Sequence, residues 1–288
     1  MTNSLGPPTK IQGKAIPSVI RGQDVVAQAP AIQERIQCYV IPALQIIYTH
    51  ASLAAQLAAS EGSQSPPSPG VQVVIITATV DQAAQAQRLS VGLGGALGIR
   101  TSLCTGSSHD LQNEAQTLLK APPHILVGTP QKLVDLFSMR ILPTASIRLL
   151  AIDECDQLIA RNLSEHVIAL SRLLPATVTV PVPSTIASSP VMGRSGLPHG
   201  FDSPFSAPMS RFGSTGGPTS SQSAPSAGPP TMSTIDRQMA IFSCTVPQDV
   251  LGFATSLQLK EPVKVLVRRE NTDGGASPSM RGLKQYYM

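Results

Sequence analysis

One stretch of the sequence decides the fold: Leu149-Leu150-Ala151-Ile152-Asp153-Glu154-Cys155-Asp156. Its first four residues form an uninterrupted apolar run, which is typical of a strand buried on both faces of a parallel sheet. Three carboxylates follow within the next four residues. In open α/β sheets, ligands bind at the carboxyl ends of the strands, where acidic side chains can hold Mg²⁺. The alternative interpretation is an acidic loop after a core strand, and this stretch alone does not separate the two.

Strands and helices alternate on both sides of this stretch. The hydrophobic patterns predict strands over residues 25–27, 71–76, 101–104, 124–127, 149–152, 238–243 and 263–267. They predict helices over residues 33–57, 81–97, 110–119 and 164–174, with two more beginning at Pro130 and Gln248. This alternation is typical of an α/β fold, a parallel sheet with helices on both faces.

The composition changes between residues 181 and 234, where Ser, Pro, Gly, Thr and Ala dominate. Such a segment buries too little apolar surface to offset its chain entropy, so we predict a disordered insertion. A strand–helix–strand pattern resumes after it, which assigns residues 1–180 and 235–270 to one domain. Residues 271–288 are predicted to be a linker and the start of a second domain that is otherwise absent.

Composition restricts the class of protein. The 288 residues carry a formal charge of +4 with a pI near 9.0, which is compatible with RNA binding but not diagnostic of it. Only 3% of residues are aromatic and Trp is absent, which argues against a stacking surface for single-stranded bases. The four Cys are scattered, which fits a reducing compartment. No signal peptide or membrane-length apolar run is visible, so we expect a cytoplasmic monomer away from membranes, with a nuclear location as the alternative.

Five short blocks occur in the order seen in one family. They are Pro8-Thr9-Lys10-Ile11-Gln12, Gly22-Gln23-Asp24-Val25-Val26-Ala27-Gln28-Ala29, Val127-Gly128-Thr129-Pro130-Gln131-Lys132, Asp153-Glu154-Cys155-Asp156 and Ser243-Cys244-Thr245. Together they resemble the first RecA-like domain of DEAD-box RNA helicases. The resemblance implies a single RecA-like domain of the P-loop NTPase type, with ATP and Mg²⁺ as cofactors and RNA as a partner. Translation-initiation proteins are further expected partners.

The resemblance also implies residue roles. Asp153 would bind Mg²⁺, and Glu154 would orient the hydrolytic water, which makes these two the candidate catalytic residues. Nucleotide binding, or its coupling to RNA, would fall to Thr9, Gln12, Ala29, Arg35, Asp156, Ser243 and Thr245. RNA contacts would come from Thr79, Gly106, Thr129, Pro130 and Lys132. For Thr129 and Pro130, an ordinary helix cap with Pro in the first turn is an equally valid description.

The phosphate loop departs from the family pattern. Where the family has AQSGTGKT, this chain has Ala29-Pro30-Ala31-Ile32-Gln33-Glu34-Arg35-Ile36. Both loop glycines are replaced, by Ile32 and Glu34. Ile does not readily adopt positive φ, and Glu34 adds a like charge that costs about 4 kcal/mol at ~4 Å and an effective dielectric constant of ~20. Arg35 keeps the charge of the Lys, whereas Ile36 has no hydroxyl for a metal.

The RNA-contacting blocks depart as well. Val80 stands where the family has a phosphate-contacting Arg, and Lys132 is the one cation kept in the third block. These residues are compatible with three hypotheses. The first is a helicase-like domain that lacks ATPase activity and acts by binding RNA or protein. The second is an active ATP-dependent RNA helicase, and the third is a regulatory protein that works through its insertion.

Overall fold

A parallel sheet organises the computed structural model, which describes residues 6–29, 32–60, 70–106, 111–182 and 231–266. Within these ranges the strands are β1 Val25–Gln28, β2 Val73–Ile76, β3 Thr101–Cys104, β4 Ile125–Gly128, β5 Leu149–Ile152, β6 Thr177–Val182, β7 Thr231–Asp236, β8 Gln238–Ser243 and β9 Val263–Leu266. Seven of these described strands form one sheet in the order β3-β4-β2-β5-β8-β1-β9. Every neighbouring pair in it is parallel.

Helices cover both faces of this sheet. They are α1 Lys10–Ile20, α2 Ile32–Ser60, α3 Val80–Gly94, α4 Leu111–Lys120, α5 Pro130–Ser138, α6 Cys155–Ala160, α7 Ser164–Leu173 and α8 Gln248–Ser256. Helices α1, α2 and α3 pack on one face, and α4 to α8 pack on the other. The predicted RecA-like α/β class, with helices on both faces of a parallel sheet, is confirmed.

The strands supply both cores by alternation. In β2, Val73 and Ile75 point into the core under α1 to α3, whereas Val74 and Ile76 point into the opposite core. All four are fully buried, and each such side chain contributes about 1.5–3 kcal/mol through removal from water. Strand β5 is buried at every position, which explains why its sequence is continuously apolar.

Gly128 ends β4 where β3 approaches it closely. A Cβ atom added there would lie 2.3 Å from the carbonyl oxygen of Cys104 and 3.0 Å from Leu133. Only glycine fits this position without a shift of β3, so the glycine is required by packing between strands.

The segments on the two sides of the insertion, β6 and β7, pair with each other. Strands β6 and β7 are antiparallel to each other, with Thr177 opposite Asp236 and Val182 opposite Thr231. The backbone N–H of Arg237 donates to the carbonyl oxygen of Ala176 at 2.7 Å, which closes the base of this hairpin. The prediction of disorder over residues 181–234 is therefore wrong for residues 181–182 and 231–234, because β-pairing satisfies their backbone groups. Residues 183–230 lie outside the described residues, as does the predicted linker 271–288.

Helix α2 is longer and begins earlier than predicted. It follows β1 closely and contains Pro42 within its length. Residues 33–60 are long and apolar enough to cross a membrane by length and composition. The same test is passed by core helices, and Val40, Ala43 and Ile47 of α2 are buried in the core against α1 and α3.

Candidate functional site

The candidate site lies at the carboxyl ends of four neighbouring strands, β2, β5, β8 and β1. Asp153 follows β5, and Cys244 follows β8. Arg35 and Tyr39 come from α2, the helix after β1, and Gln82 comes from the first turn of α3, the helix after β2. The parallel topology therefore brings together side chains that are far apart in sequence.

Arg35 and Asp153 form an ion pair at the centre of the site. The Nε atom of Arg35 donates to Oδ1 of Asp153 at 2.9 Å, and both side chains are fully buried. The Nη1 atom of Arg35 donates to the carbonyl oxygen of Ala29 at 2.8 Å and lies 3.0 Å from Sγ of Cys244. The guanidinium therefore spans the ends of β1, β5 and β8.

The Asp153 carboxylate accepts four hydrogen bonds. Oδ1 accepts from Arg35 and from the backbone N–H of Glu154 at 2.8 Å. Oδ2 accepts from the hydroxyl of Tyr39 at 3.1 Å and from Nε2 of Gln82 at 2.6 Å. A carboxylate offers about four acceptor positions, so all of them are used within the chain. Within the described ranges, no group of three His, Cys, Asp or Glu side chains is arranged to hold a metal ion.

Electrostatics in this cluster favour a charged guanidinium on Arg35 and a protonated phenol on Tyr39. Burial alone would lower the pKa of Arg35, but the adjacent Asp153 carboxylate raises it above its ordinary value. Burial, together with Asp153, raises the pKa of Tyr39 well above its ordinary range. At neutral pH the phenol is therefore a hydrogen-bond donor, and the guanidinium is charged.

Glu154 lies at the edge of the cluster. It adopts a left-handed backbone conformation (φ 55°, ψ 43°) at the N-cap of α6. Its Oε2 accepts a hydrogen bond from the hydroxyl of Thr79 at 3.3 Å. Burial, and then the neighbouring Asp153, raise the pKa of Glu154 above its usual value. Its role in orienting water stays a prediction.

Gln12, expected to contact adenine, is engaged by its own chain. Its Nε2 donates to Oε1 of Gln37 at 2.6 Å, and its Oε1 accepts from the backbone N–H of Thr9 at 3.0 Å. The residue is buried, and these contacts join α1 to α2. The structure therefore places Gln12 and Thr9 together as expected, while their nucleotide contacts stay predictions.

Asp156 links the acidic block to the end of β8. Its backbone N–H donates to Oγ of Ser243 at 3.1 Å, and its Oδ2 accepts from the hydroxyl of Thr245 at 3.0 Å. Both contacts join residues to which the resemblance assigned nucleotide binding or its coupling to RNA. Whether they couple nucleotide to RNA stays a prediction.

The same blocks place the chain in a family. The DEAD/DEAH box helicase model matches residues 9–191. This chain belongs to the DEAD/DEAH box helicase family. Curated relatives of this helicase-family chain include the ATP-dependent RNA helicase eIF4A of Neosartorya fischeri, 23% identical over 281 residues, and that of Neurospora crassa, 24% identical over 281 residues. Both alignments cover 98% of this chain and 49% of the relative, so the chain spans about half the length of these relatives.

Solved helicase structures show the same fold. A Saccharomyces cerevisiae Dbp5 variant, bound to Nup159, a Gle1 variant, IP6 and ADP, aligns with a TM-score of 0.56 at 14% identity. That alignment covers 91% of this chain and 49% of Dbp5. A hypothetical ATP-dependent RNA helicase from Sulfolobus tokodaii aligns with a TM-score of 0.57 at 15% identity, over 92% of this chain and 54% of that protein.

The positions predicted to contact RNA lie at the same carboxyl ends of the strands in this DEAD-box domain. Thr129 is the N-cap of α5, and Pro130 occupies its first turn. Thr79 caps α3 by accepting a hydrogen bond from the backbone N–H of Gln82 at 3.3 Å. Gly106 follows β3 with φ of 76°, a conformation that favours glycine. Helix N-termini with free N–H groups are suited to phosphate, so the geometry is compatible with the implied role.

Lys132 differs from the expectation for an RNA-contacting cation. Its side chain is 3% exposed, and its Nζ lies 2.6 Å from Oε2 of Glu114. Val80, at the position of the family's Arg, is 49% exposed and offers no charge. The burial and pairing of Lys132 count against a direct phosphate contact.

Sequence reasoning missed Tyr39, Gln82 and Cys244 as parts of the site. Tyr39 lies four residues after Arg35 in α2, so both share one helix face, and this spacing was a usable signal. Gln82 stands two residues after Val80, the position where the family has an Arg. Nothing in the sequence indicates that Cys244 would contact the guanidinium of Arg35, because that contact depends on how α2 packs against the sheet.

Proposed function

We propose that this DEAD-box domain does not bind or hydrolyse Mg·ATP and acts as a nucleotide-independent binding module for RNA. The observation that carries the proposal is the buried Arg35–Asp153 ion pair, with all acceptor positions of Asp153 in use. Asp153, the residue that would bind Mg²⁺, thus uses its oxygens in hydrogen bonds within the chain.

The free-energy cost of displacing the donors bonded to Asp153 also argues against Mg²⁺ binding. Mg²⁺ prefers carboxylate and water oxygens in octahedral geometry, so it would have to displace donors from Asp153. Breaking a buried ion pair by removing one partner costs about 3–5 kcal/mol. A ligand bound at micromolar affinity has only about 8 kcal/mol available. The residues present therefore do not fit a magnesium–nucleotide complex.

The residues expected to contact adenine and phosphate also argue against nucleotide binding. Gln12 already bonds Gln37 and the backbone of Thr9, so adenine would compete with contacts inside the chain. The carbonyl oxygen of Ala29 accepts from Arg35, which ties the end of β1 to the guanidinium. Glu34 adds a negative charge next to this position, which disfavours a triphosphate.

RNA binding is supported by the sheet edge that carries Thr79, Gly106 and Thr129. Helix α5 has no side-chain cap, so the backbone N–H groups of its first turn suit phosphate oxygens, and the chain is mildly basic overall. With Val80 uncharged and Lys132 paired, few cations contact phosphate, so we expect weak binding with a shallow salt dependence. A cytoplasmic role beside translation-initiation proteins is part of the same proposal, because the curated relatives are eIF4A helicases.

Two titrations of the purified chain test the proposal. The first follows a fluorescent ATP analogue with Mg²⁺ and is expected to show no saturable binding up to millimolar protein or nucleotide. The second follows a labelled single-stranded RNA with and without Mg·ATP and is expected to give the same affinity in both. Micromolar Mg·ATP binding, or RNA-stimulated hydrolysis, would instead establish the active-helicase alternative.

A restored loop provides the matched control. The quadruple variant Ile32→Gly, Glu34→Gly, Arg35→Lys and Ile36→Thr rebuilds the family's glycine-rich pattern, whereas Arg35→Lys alone changes only the paired cation. If the loop and the ion pair are what exclude nucleotide, only the quadruple variant gains Mg-dependent ATP binding. Binding by the single variant would show that the glycines are not needed.

A further inference from the structure

A cavity of about 530 Å³ lies at the opposite edge of the sheet from the candidate nucleotide site. Two of its lining residues precede strands: Asp24 comes before β1, and Arg237 comes before β8. Helices α7 and α8 supply its other walls. It therefore occupies the amino ends of the strands and shares no residue with the site around Asp153.

Positive charge dominates this cavity. Arg172, Arg237 and Lys260 line it, against the single carboxylate of Asp24. Both oxygens of Asp24 are already bonded, to the backbone N–H groups of Met239 and Lys260 at 2.7 Å each. Lys260 pairs with Asp236, but both side chains are more than half exposed, so that pair is weak.

Arg237 is the central group. It is 91% buried, and its guanidinium donates only to neutral oxygens: the carbonyls of Leu174 and Pro175 and the hydroxyl of Ser171. Its Nε is buried without a hydrogen-bond partner, and no carboxylate of the described residues lies within ion-pair distance of it. Burial lowers the pKa of Arg237, with Asp24 opposing this at longer range. A buried cation without a paired anion is costly, and a bound anion would compensate it.

We propose that this cavity is a binding site for a small organic anion, whose acidic group faces Arg237 and whose apolar part packs on the cavity walls. The apolar walls are supplied by Ile168, Leu174, Met239 and Leu257. The volume falls within the range of small-molecule sites, which combine apolar walls with a few polar groups. Carboxylates and phosphate monoesters share the required chemistry, because both accept bidentate hydrogen bonds from a guanidinium.

The cavity also lies at the base of the β6–β7 hairpin, whose strands flank the insertion. Ala176 and Arg237 flank the β6–β7 hairpin, are joined by a 2.7 Å backbone hydrogen bond, and both line the cavity. An anion held by Arg237 would therefore stabilise the base of the hairpin, and protection of its amides against hydrogen exchange would rise.

The test uses four probes on the full chain: hexanoate, hexyl phosphate, inorganic phosphate and neutral hexanol. Calorimetry measures affinity, and the Nε–H resonance of Arg237, assigned with an Arg237→Lys variant, reports contact. Hexanoate or hexyl phosphate should bind more tightly than hexanol and inorganic phosphate, and should move that resonance. The preferred head group distinguishes a carboxylate from a phosphate monoester as the class of ligand. Equal affinity for hexanol, or an unmoved resonance, overturns the proposal.

Surface variants keep the test independent of folding. Arg172→Gln and Lys260→Gln remove cations that line the cavity, and each should weaken the organic anions about two- to fivefold. Lys264→Gln removes the same charge from exposed β9, outside the cavity lining, and should leave affinity unchanged. If all three variants bind alike, the cavity is not the site.

Discussion

Arg35 and Asp153 lie 118 residues apart in the chain and form an ion pair in which neither side chain is exposed to solvent. In a DEAD-box domain these two positions belong to the phosphate loop and the acidic block. Here they neutralise each other, with Tyr39 and Gln82 completing the carboxylate's hydrogen bonds. These contacts make Asp153, directly after β5, part of the buried interior.

The first prediction concerns Arg35 itself. Replacement by Met should lower the free energy of unfolding by about 3–5 kcal/mol, because Asp153 would be left buried and unpaired. Chemical denaturation at neutral pH measures this. Arg88→Met, at an exposed position of α3, serves as the control and should change stability by less than about 0.5 kcal/mol. Equal stability of the two variants would contradict a structural role for the pair.

The second prediction isolates the phenol of Tyr39. Tyr39→Phe keeps the ring against Phe242, whose centroid lies 5.4 Å away, but removes the hydrogen bond to Asp153. Hydrogen bonds to charged groups contribute about 1.5–3 kcal/mol, and the loss should be of that size. Tyr48→Phe, on the same helix but 52% exposed, should have no effect. A Tyr39 variant as stable as wild type would show that this bond adds nothing.

The third prediction is a pH dependence set by Glu154. Its pKa is raised in the folded state, so the folded state holds this proton more tightly than the unfolded state. Glu154 therefore favours folding below about pH 4.5, and this contribution is lost as the pH rises through the folded-state pKa. Glu154→Gln removes that dependence, so its stability relative to wild type should increase from pH 4 to pH 7.

Denaturation series at several pH values measure this difference. Glu165→Gln, at an exposed position of α7, removes a surface carboxylate and serves as the matched control. A Glu154 variant whose difference from wild type stays constant between pH 4 and pH 7 would mean that the carboxyl is not perturbed.

The fourth prediction concerns RNA. Lys132 is paired with Glu114 and buried, so Lys132→Met should destabilise the domain while leaving the slope of log K against log salt unchanged. Loss of a cation that contacts phosphate would instead reduce that slope by about 1. Filter binding or fluorescence anisotropy over a salt series measures it. Lys120→Met, exposed at the end of α4, controls for net charge.

The fold was predictable because its signals are local. The continuous apolar run of β5 indicates a strand buried on both faces, and the alternation of strands and helices indicates a parallel sheet. Strands β6 and β7, which flank the insertion, were missed for a physical reason. Strands β6 and β7 adjoin the Ser- and Pro-rich segment on its two sides, and their pairing depends on the closure between Ala176 and Arg237.

The sequence by itself determined the family, the order of the strands along the chain, and the loss of the phosphate-loop glycines at Ile32 and Glu34. Only the tertiary structure decided which side chains contact Asp153. The side-chain partners of Asp153 come from two helices, α2 and α3, that are far from it in the chain. A buried carboxylate bonds the donors that the packed ends of the strands bring within hydrogen-bond distance. That choice depends on distances across the fold, which residue spacing does not encode.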